Sequence, residues 1–179
     1  MDLTHHEAWP AYAIELGADD AAIIAPVTVV TAEWVRMKCL YGCGGGDEYR
    51  CCPPRAPAPE DTRRLLDGYS RAVLLGAGPF TGYDESDEHS RRLNDAATDL
   101  ERELFLTGFH KAWTMGSGPC DRCDPCPLDE PCKIPARARP SMEGCGIDVF
   151  TTVRNAGRQI EVVKDKDDEY RFFALVLVD

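Results

Sequence analysis

The chain has 179 residues, 44% of them hydrophobic, enough to bury one core and to be read as a single domain over residues 1–179. A net charge of −11 argues against duplex nucleic acid as a partner, because that binding depends on Lys and Arg neutralising phosphates. No apolar run nears the ~20 residues of a membrane span and no secretory segment is evident, so a cytoplasmic, reducing compartment is expected, where nine thiols read as ligands rather than disulfides.

Residues 3–16 carry Leu3, Trp9, Tyr12, Ile14 and Leu16, with Pro10 starting or kinking a helix and Gly17 stopping it. The adjacent His5 and His6 read as surface side chains. Ala21-Ala22-Ile23-Ile24 predicts a short buried strand, and residues 31–38 a helical turn or two leading into a first thiol cluster. That cluster is Cys39-x3-Cys43-x7-Cys51-Cys52-Pro53-Pro54, with Gly42, Gly44, Gly45 and Gly46 around it. Glycines let backbone amides come close to buried sulfurs, and the prolines direct the exit of the loop.

Pro59-Glu60-Asp61 opens a short helix, with proline in its first turn and acids at the positive end of its dipole, and the helix should end near Gly68. Residues 71–75 predict a strand that Gly76-Ala77-Gly78-Pro79 breaks, with no glycine pattern for a nucleotide loop. Residues 86–107 form the clearest helix. Leu93, Ala97, Leu100 and Leu104 make one apolar stripe, Asp87 and Glu88 occupy the first turn, and Gly108 ends it. Residues 109–115 then predict a strand delivering the chain to the second thiol cluster.

The second cluster is Gly118-Pro119-Cys120-x2-Cys123-x2-Cys126-Pro127-x4-Cys132. Each Cys-x-x-Cys loop aims two sulfurs at one point, and a third Cys at the same interval wraps the loop around something larger than one ion. Tetrahedral zinc sites usually take two separate Cys-x-x-Cys pairs, whereas runs of this kind hold cubanes in bacterial ferredoxins. Prolines and alternating arginines make residues 133–148 an extended loop bearing Cys145. Arg137 and Arg139 in that loop are candidates to lie over a cluster or its partner site, since cations stabilise its more negative reduced form. Asp148 is positioned to cap a helix through Asn155, ended by Ala156-Gly157. Residues 159–163 and 170–178 predict a closing hairpin whose last strand, apolar on both faces, should be central.

Three segments together resemble a known family. They are Trp34-Val35-Arg36-Met37-Lys38-Cys39 with Cys52-Pro53-Pro54, the run from Gly118 to Pro127, and Ala138-Arg139-Pro140-Ser141-Met142-Glu143-x-Cys145-Gly146-Ile147-Asp148-Val149. The chain is similar over residues 17–178 to the predicted metal-binding proteins of domain-of-unknown-function family 2284. The resemblance implies cysteines that bind a metal or an iron–sulfur cluster, and it implies no reaction. Members usually carry one thiol before the Pro-Pro, matching Cys52, so Cys51 is a departure and stands outside the expected ligand set.

Eight thiols remain: Cys39, Cys43, Cys52 and Cys145 as one set, and Cys120, Cys123, Cys126 and Cys132 as the other. An exchange of Cys132 and Cys145 between the sets is also open, because in two-cluster ferredoxins the fourth Cys of a run serves the other cluster. The expected cofactor is one or two [4Fe–4S] clusters, with zinc as the alternative. The expected role is one-electron transfer to a protein partner, with a structural metal module or a cluster-dependent enzyme near Arg137 and Arg139 as the other readings. No catalytic residue is assigned, since four histidines without a motif give a Cys nucleophile no evident base. The expected architecture is a single α/β domain with a mixed sheet of roughly four or five strands, flanked by helices and Cys-rich loops gathered at one end.

Overall fold

A computed structural model of the protein describes residues 1–43, 48–82 and 84–179. Four strands form the sheet: β1 (Asp20–Ile24), β2 (Ala72–Phe80), β3 (Trp113–Met115) and β4 (Tyr170–Leu177). Five α-helices surround it: α1 (Trp9–Glu15), α2 (Glu33–Gly42), α3 (Pro59–Leu66), α4 (Ser86–Leu106) and α5 (Val149–Asn155). The result is an α/β domain with the sheet flanked by helices, as expected. Among the described residues no helix is long and apolar enough to cross a membrane.

The strand order is β1-β2-β4-β3, with every neighbouring pair antiparallel. The sheet is therefore not mixed; among the described residues the one parallel pairing is an isolated bridge between Gly116 and Ser141. Strand β4 is central, as its two apolar faces predict. Leu175 and Leu177 face one side with Leu74, while Ala174 and Val176 face the other with Val73 and Leu75. Helices α1 and α4 cover the second of these faces, where Leu93, Ala97, Leu100 and Leu104 are all fully buried. Burying each such leucine contributes about 1.5–3 kcal/mol, which is why the apolar stripe on α4 decides its orientation. The opposite face is closed by Leu66 of α3, by Val149 and Val153 of α5, and by Met142, Cys145 and Ile147 from the loop before α5.

Three local expectations are corrected. Strand β2 does not stop at Leu75 but continues to Phe80, with the register shifting between Ala77 and Phe80. Gly78 makes this possible: its φ of 103° and the 2.9 Å from a virtual Cβ to the Tyr170 carbonyl leave no room for a side chain. Strand β3 is confined to residues 113–115, because the Phe109 amide still donates to Leu104 at the end of α4. Residues 159–163 form no strand, since β2 and β3 already occupy both edges of β4.

The expected cap of α5 is present. Asp148 accepts hydrogen bonds from the Thr151 amide at 3.0 Å and the Thr151 hydroxyl at 2.6 Å. Asp148→Ala should cost about 1 kcal/mol and lower the melting temperature by about 2–4 °C, measured by circular dichroism.

Candidate metal centre

Helix α2 runs four residues beyond the predicted end, so Cys39 lies in its last turn and Cys43 follows directly as its C-cap. The helix begins where residues 30–32 meet the loop before α5. The Ala32 amide donates to the Gly146 carbonyl at 2.8 Å, and the Asp148 amide to Val30 at 2.8 Å. Gly146 has φ 76°, and a Cβ there would lie 2.5 Å from Pro59 Cγ, so only glycine permits this approach of the loop to α3. Thr62 of α3 donates to the Cys145 carbonyl at 2.7 Å, and the Cys39 thiol lies 3.7 Å from the Glu143 carbonyl oxygen. These contacts hold Cys145, which is buried, near Cys39 although 106 positions separate them in the chain.

Arg36, one turn before Cys39, gathers the loop that follows Cys52. Its guanidinium donates to the carbonyls of Ala56 and Pro57 at 2.9 Å each and of Pro54 at 3.2 Å. Burial, then the neighbouring Cys43 and Cys39, and more weakly Cys120 and Cys126, push the Cys52 thiol up to about 11. Burial and then Glu143 push Cys145 up to about 12, and burial, Glu143 and Cys43 also raise Cys39. Each crowded thiol resists ionising beside the others until a cation joins them.

The second thiol loop is anchored on α4. Asn94 exchanges hydrogen bonds with the Ser117 backbone at 2.8 and 2.9 Å, and Gly116 has no space for a Cβ, which would stand 2.5 Å from Asn94 Oδ1. Arg91 pairs with Asp121 at 2.9 Å and Arg122 with Asp95 at 2.7 Å. Arg50 then ties this loop to the first cluster. One of its nitrogens donates to the carbonyls of Pro127 at 2.9 Å and Leu128 at 2.8 Å, and also to that of Glu130. Directly beside it in the chain, the Cys51 thiol donates to the Cys120 sulfur. That hydrogen bond, with help from the Arg122 amide and charge, lowers Cys120 toward the thiolate and raises Cys51.

The two thiol segments therefore meet. Cys51 and Cys120 influence one another's ionisation, with Cys132 as a weaker neighbour, and the charges of Cys39, Cys43, Cys120 and Cys126 each push the Cys52 thiol up. Cys123 and Cys126 are half-buried on the same loop as Cys120, and Cys43 is exposed. Arg137 and Arg139, which line one small space with Cys120, pair with acids of α4. Arg137 pairs with Asp99 at 2.7 Å and donates to Thr98 at 2.9 Å, while Arg139 pairs with Glu101 and lies 4.7 Å from the centre of the Trp113 ring. Sequence reasoning missed Arg36, Arg50 and Glu143, and set Cys51 aside. The available signal was position alone, with Arg36 one turn before Cys39 and Arg50 immediately before Cys51. The expected close approach of Gly44, Gly45 and Gly46 to sulfur lies outside the described residues.

The donor set suits a thiophilic metal or cluster. A buried Arg50 Nε–H without a partner among the described residues is the kind of donor that anionic thiolate–metal groups satisfy. Among the described residues no three His, Cys, Asp or Glu side chains already stand close enough together to grip an ion. No curated protein and no solved structure matches the chain. The family model described as predicted metal-binding protein matches residues 22–178, nearly the whole chain, and the protein belongs to that family, domain-of-unknown-function family 2284.

Proposed function

We propose that the thiols hold iron–sulfur clusters, two [4Fe–4S] at full occupancy, and that the protein passes single electrons to or from a protein partner in a reducing cytoplasmic compartment. The observation that carries this reading is the meeting of the two Cys segments, where Arg50, next to Cys51, donates to the loop carbonyls between Cys126 and Cys132. Cys39, Cys43, Cys52 and Cys145 make one ligand set, and Cys120, Cys123, Cys126 and Cys132 the other, with Cys51 at the second as a ninth thiol. Fully thiolate-ligated clusters supply one-electron transfer, with potentials set by hydrogen bonds to sulfur and by burial. The chain's part is to hold the thiols, keep donors such as Arg50 at the loops, and shield the centre.

The partner would approach α2. Trp34, Met37, Leu40 and Tyr41 are exposed apolar side chains on the helix that bears Cys39. The chain's net charge of −11 would favour encounter with a basic partner, in a salt-dependent way.

Metal and acid-labile sulfide in protein purified without oxygen test the reading. About eight iron and eight sulfide per chain, with absorption near ~400 nm that dithionite bleaches, is the expected result. Zinc without sulfide would replace electron transfer by a structural metal role.

A further inference from the structure

Away from the thiols, a cavity of about 400 Å³ opens where β1, β2 and β4 meet the turn after α5. Asp20, Gly76, Arg158, Gln159, Arg171 and Phe173 border it. Asp20, Gly76 and Phe173 form one row across the strands, so they share a face of the sheet. Arg171, two residues before Phe173 on β4, extends that face past the apolar core. Gly76 shapes the floor: a Cβ there would stand 3.2 Å from the Phe173 ring, which lies over the glycine instead. This volume suits a small organic molecule.

The two arginines at the cavity differ in what they hold. Arg158 is matched, since its Nε and Nη2 donate to the Asp20 carboxylate at 2.7 and 3.1 Å. Arg171 is not. Its Nη2 lies 3.4 Å from Glu169 Oε2, well beyond the roughly 2.7–2.9 Å of a firm charge-assisted bond. Its Nε and Nη1 make no hydrogen bond among the described residues. Yet the Arg171 side chain is only 20% exposed, and its Glu169 neighbour is largely in solvent. Arg122 and Arg139 are shielded to a similar degree, at 15% and 14%, and each lies against an acid of α4. A guanidinium drawn this far from water with donors to spare is completed by an oxyanion.

We infer that this cavity binds a small carboxylate whose two oxygens take the spare donors of Arg171, with its organic part against Phe173. One planar guanidinium matches one carboxylate in a fork. Asp20 already neutralises Arg158, so Arg171 sets the sign of the charge the site accepts. A phosphate monoester fits less well, because its second charge would fall near Asp20 and Glu169. No cysteine borders the cavity among the described residues, so the site is independent of the centre proposed above.

Fluorine NMR titration of the full, anaerobically purified chain at low salt tests this with 4-fluorobenzoate, 4-fluorobenzamide and 4-fluorophenyl phosphate. The benzamide keeps the ring and nearly the shape of the benzoate but carries no charge. Saturable binding of one 4-fluorobenzoate per chain is expected, at least about tenfold tighter than the benzamide and tighter than the phosphate. Arg171→Gln should abolish the preference for the anion, with a melting temperature within about 4 °C of native, because only a loose surface pair is lost. Glu169→Gln removes the acid beside Arg171 and should tighten 4-fluorobenzoate about two- to fivefold while leaving the benzamide unchanged. That second variant decides the question even if Arg171→Gln does not fold. Equal affinities of benzoate and benzamide for the native chain would overturn the proposal. So would an anion preference that survives Arg171→Gln, which puts the anion elsewhere, or an unaltered benzoate affinity in Glu169→Gln. Tighter binding of the phosphate would overturn the assignment of a carboxylate.

Discussion

Replacing Arg50 with alanine is expected to weaken metal binding about 10- to 100-fold while leaving the sheet and α4 intact. Among the described residues Arg50 makes no hydrogen bond to the central strands or to α4. Its hydrogen bonds go to the carbonyls of Pro127, Leu128 and Glu130, in the span between Cys126 and Cys132. Those bonds bring the loop of Cys120 against Cys51 and Cys52. Without them the thiols have to be collected from two loops that are free to separate, and the ordering entropy falls on the binding step. Competition against a chelator would measure the affinity, and far-UV circular dichroism would report the fold. Native affinity in Arg50→Ala would show that the loops meet without this tie.

Arg139→Ala is expected to lower the melting temperature by roughly 6–20 °C, from a loss of about 3–5 kcal/mol. The Arg139 and Glu101 side chains are only 14% and 12% exposed, so removing one leaves the other as a shielded charge. Glu101 Oε2 also accepts from the Thr114 amide at 2.8 Å, so the pair helps seat β3 against α4. A double change, Arg139→Met with Glu101→Leu, should recover much of the loss, because two apolar groups strand no charge. Metal content per folded chain should hold in both variants. Lost metal or a shifted reduction potential at unchanged stability would instead restore Arg139 to the cofactor-binding role that its place in the sequence suggests.

Elements whose signal is local were legible in the chain. The stripe on α4, the Asp148 cap and the two-faced apolar run of β4 each follow from side-chain periodicity or a capping side chain. The misread segments depend on which edge is free. Residues 159–163 carry apolar residues suited to a strand, yet β4 has no edge left to pair with them. The continuation of β2 past Gly76 depends on the Tyr170 backbone, 92 positions after Gly78, which no local pattern encodes.

The candidate site divides in the same way. By itself the sequence determined that this is a thiol-rich chain of a predicted metal-binding family, because Cys spacing within a loop sets which sulfurs can converge, and loop geometry is local. Tertiary structure alone decided that Arg50 ties the two thiol segments together and that the Cys145 loop packs on α3. It also paired Arg137 and Arg139 with the acids of α4. The physical reason is range: these outcomes depend on guanidinium-to-carbonyl ties and glycine-permitted close approaches between segments far apart in the chain, which form only once the sheet and helices have set those segments side by side.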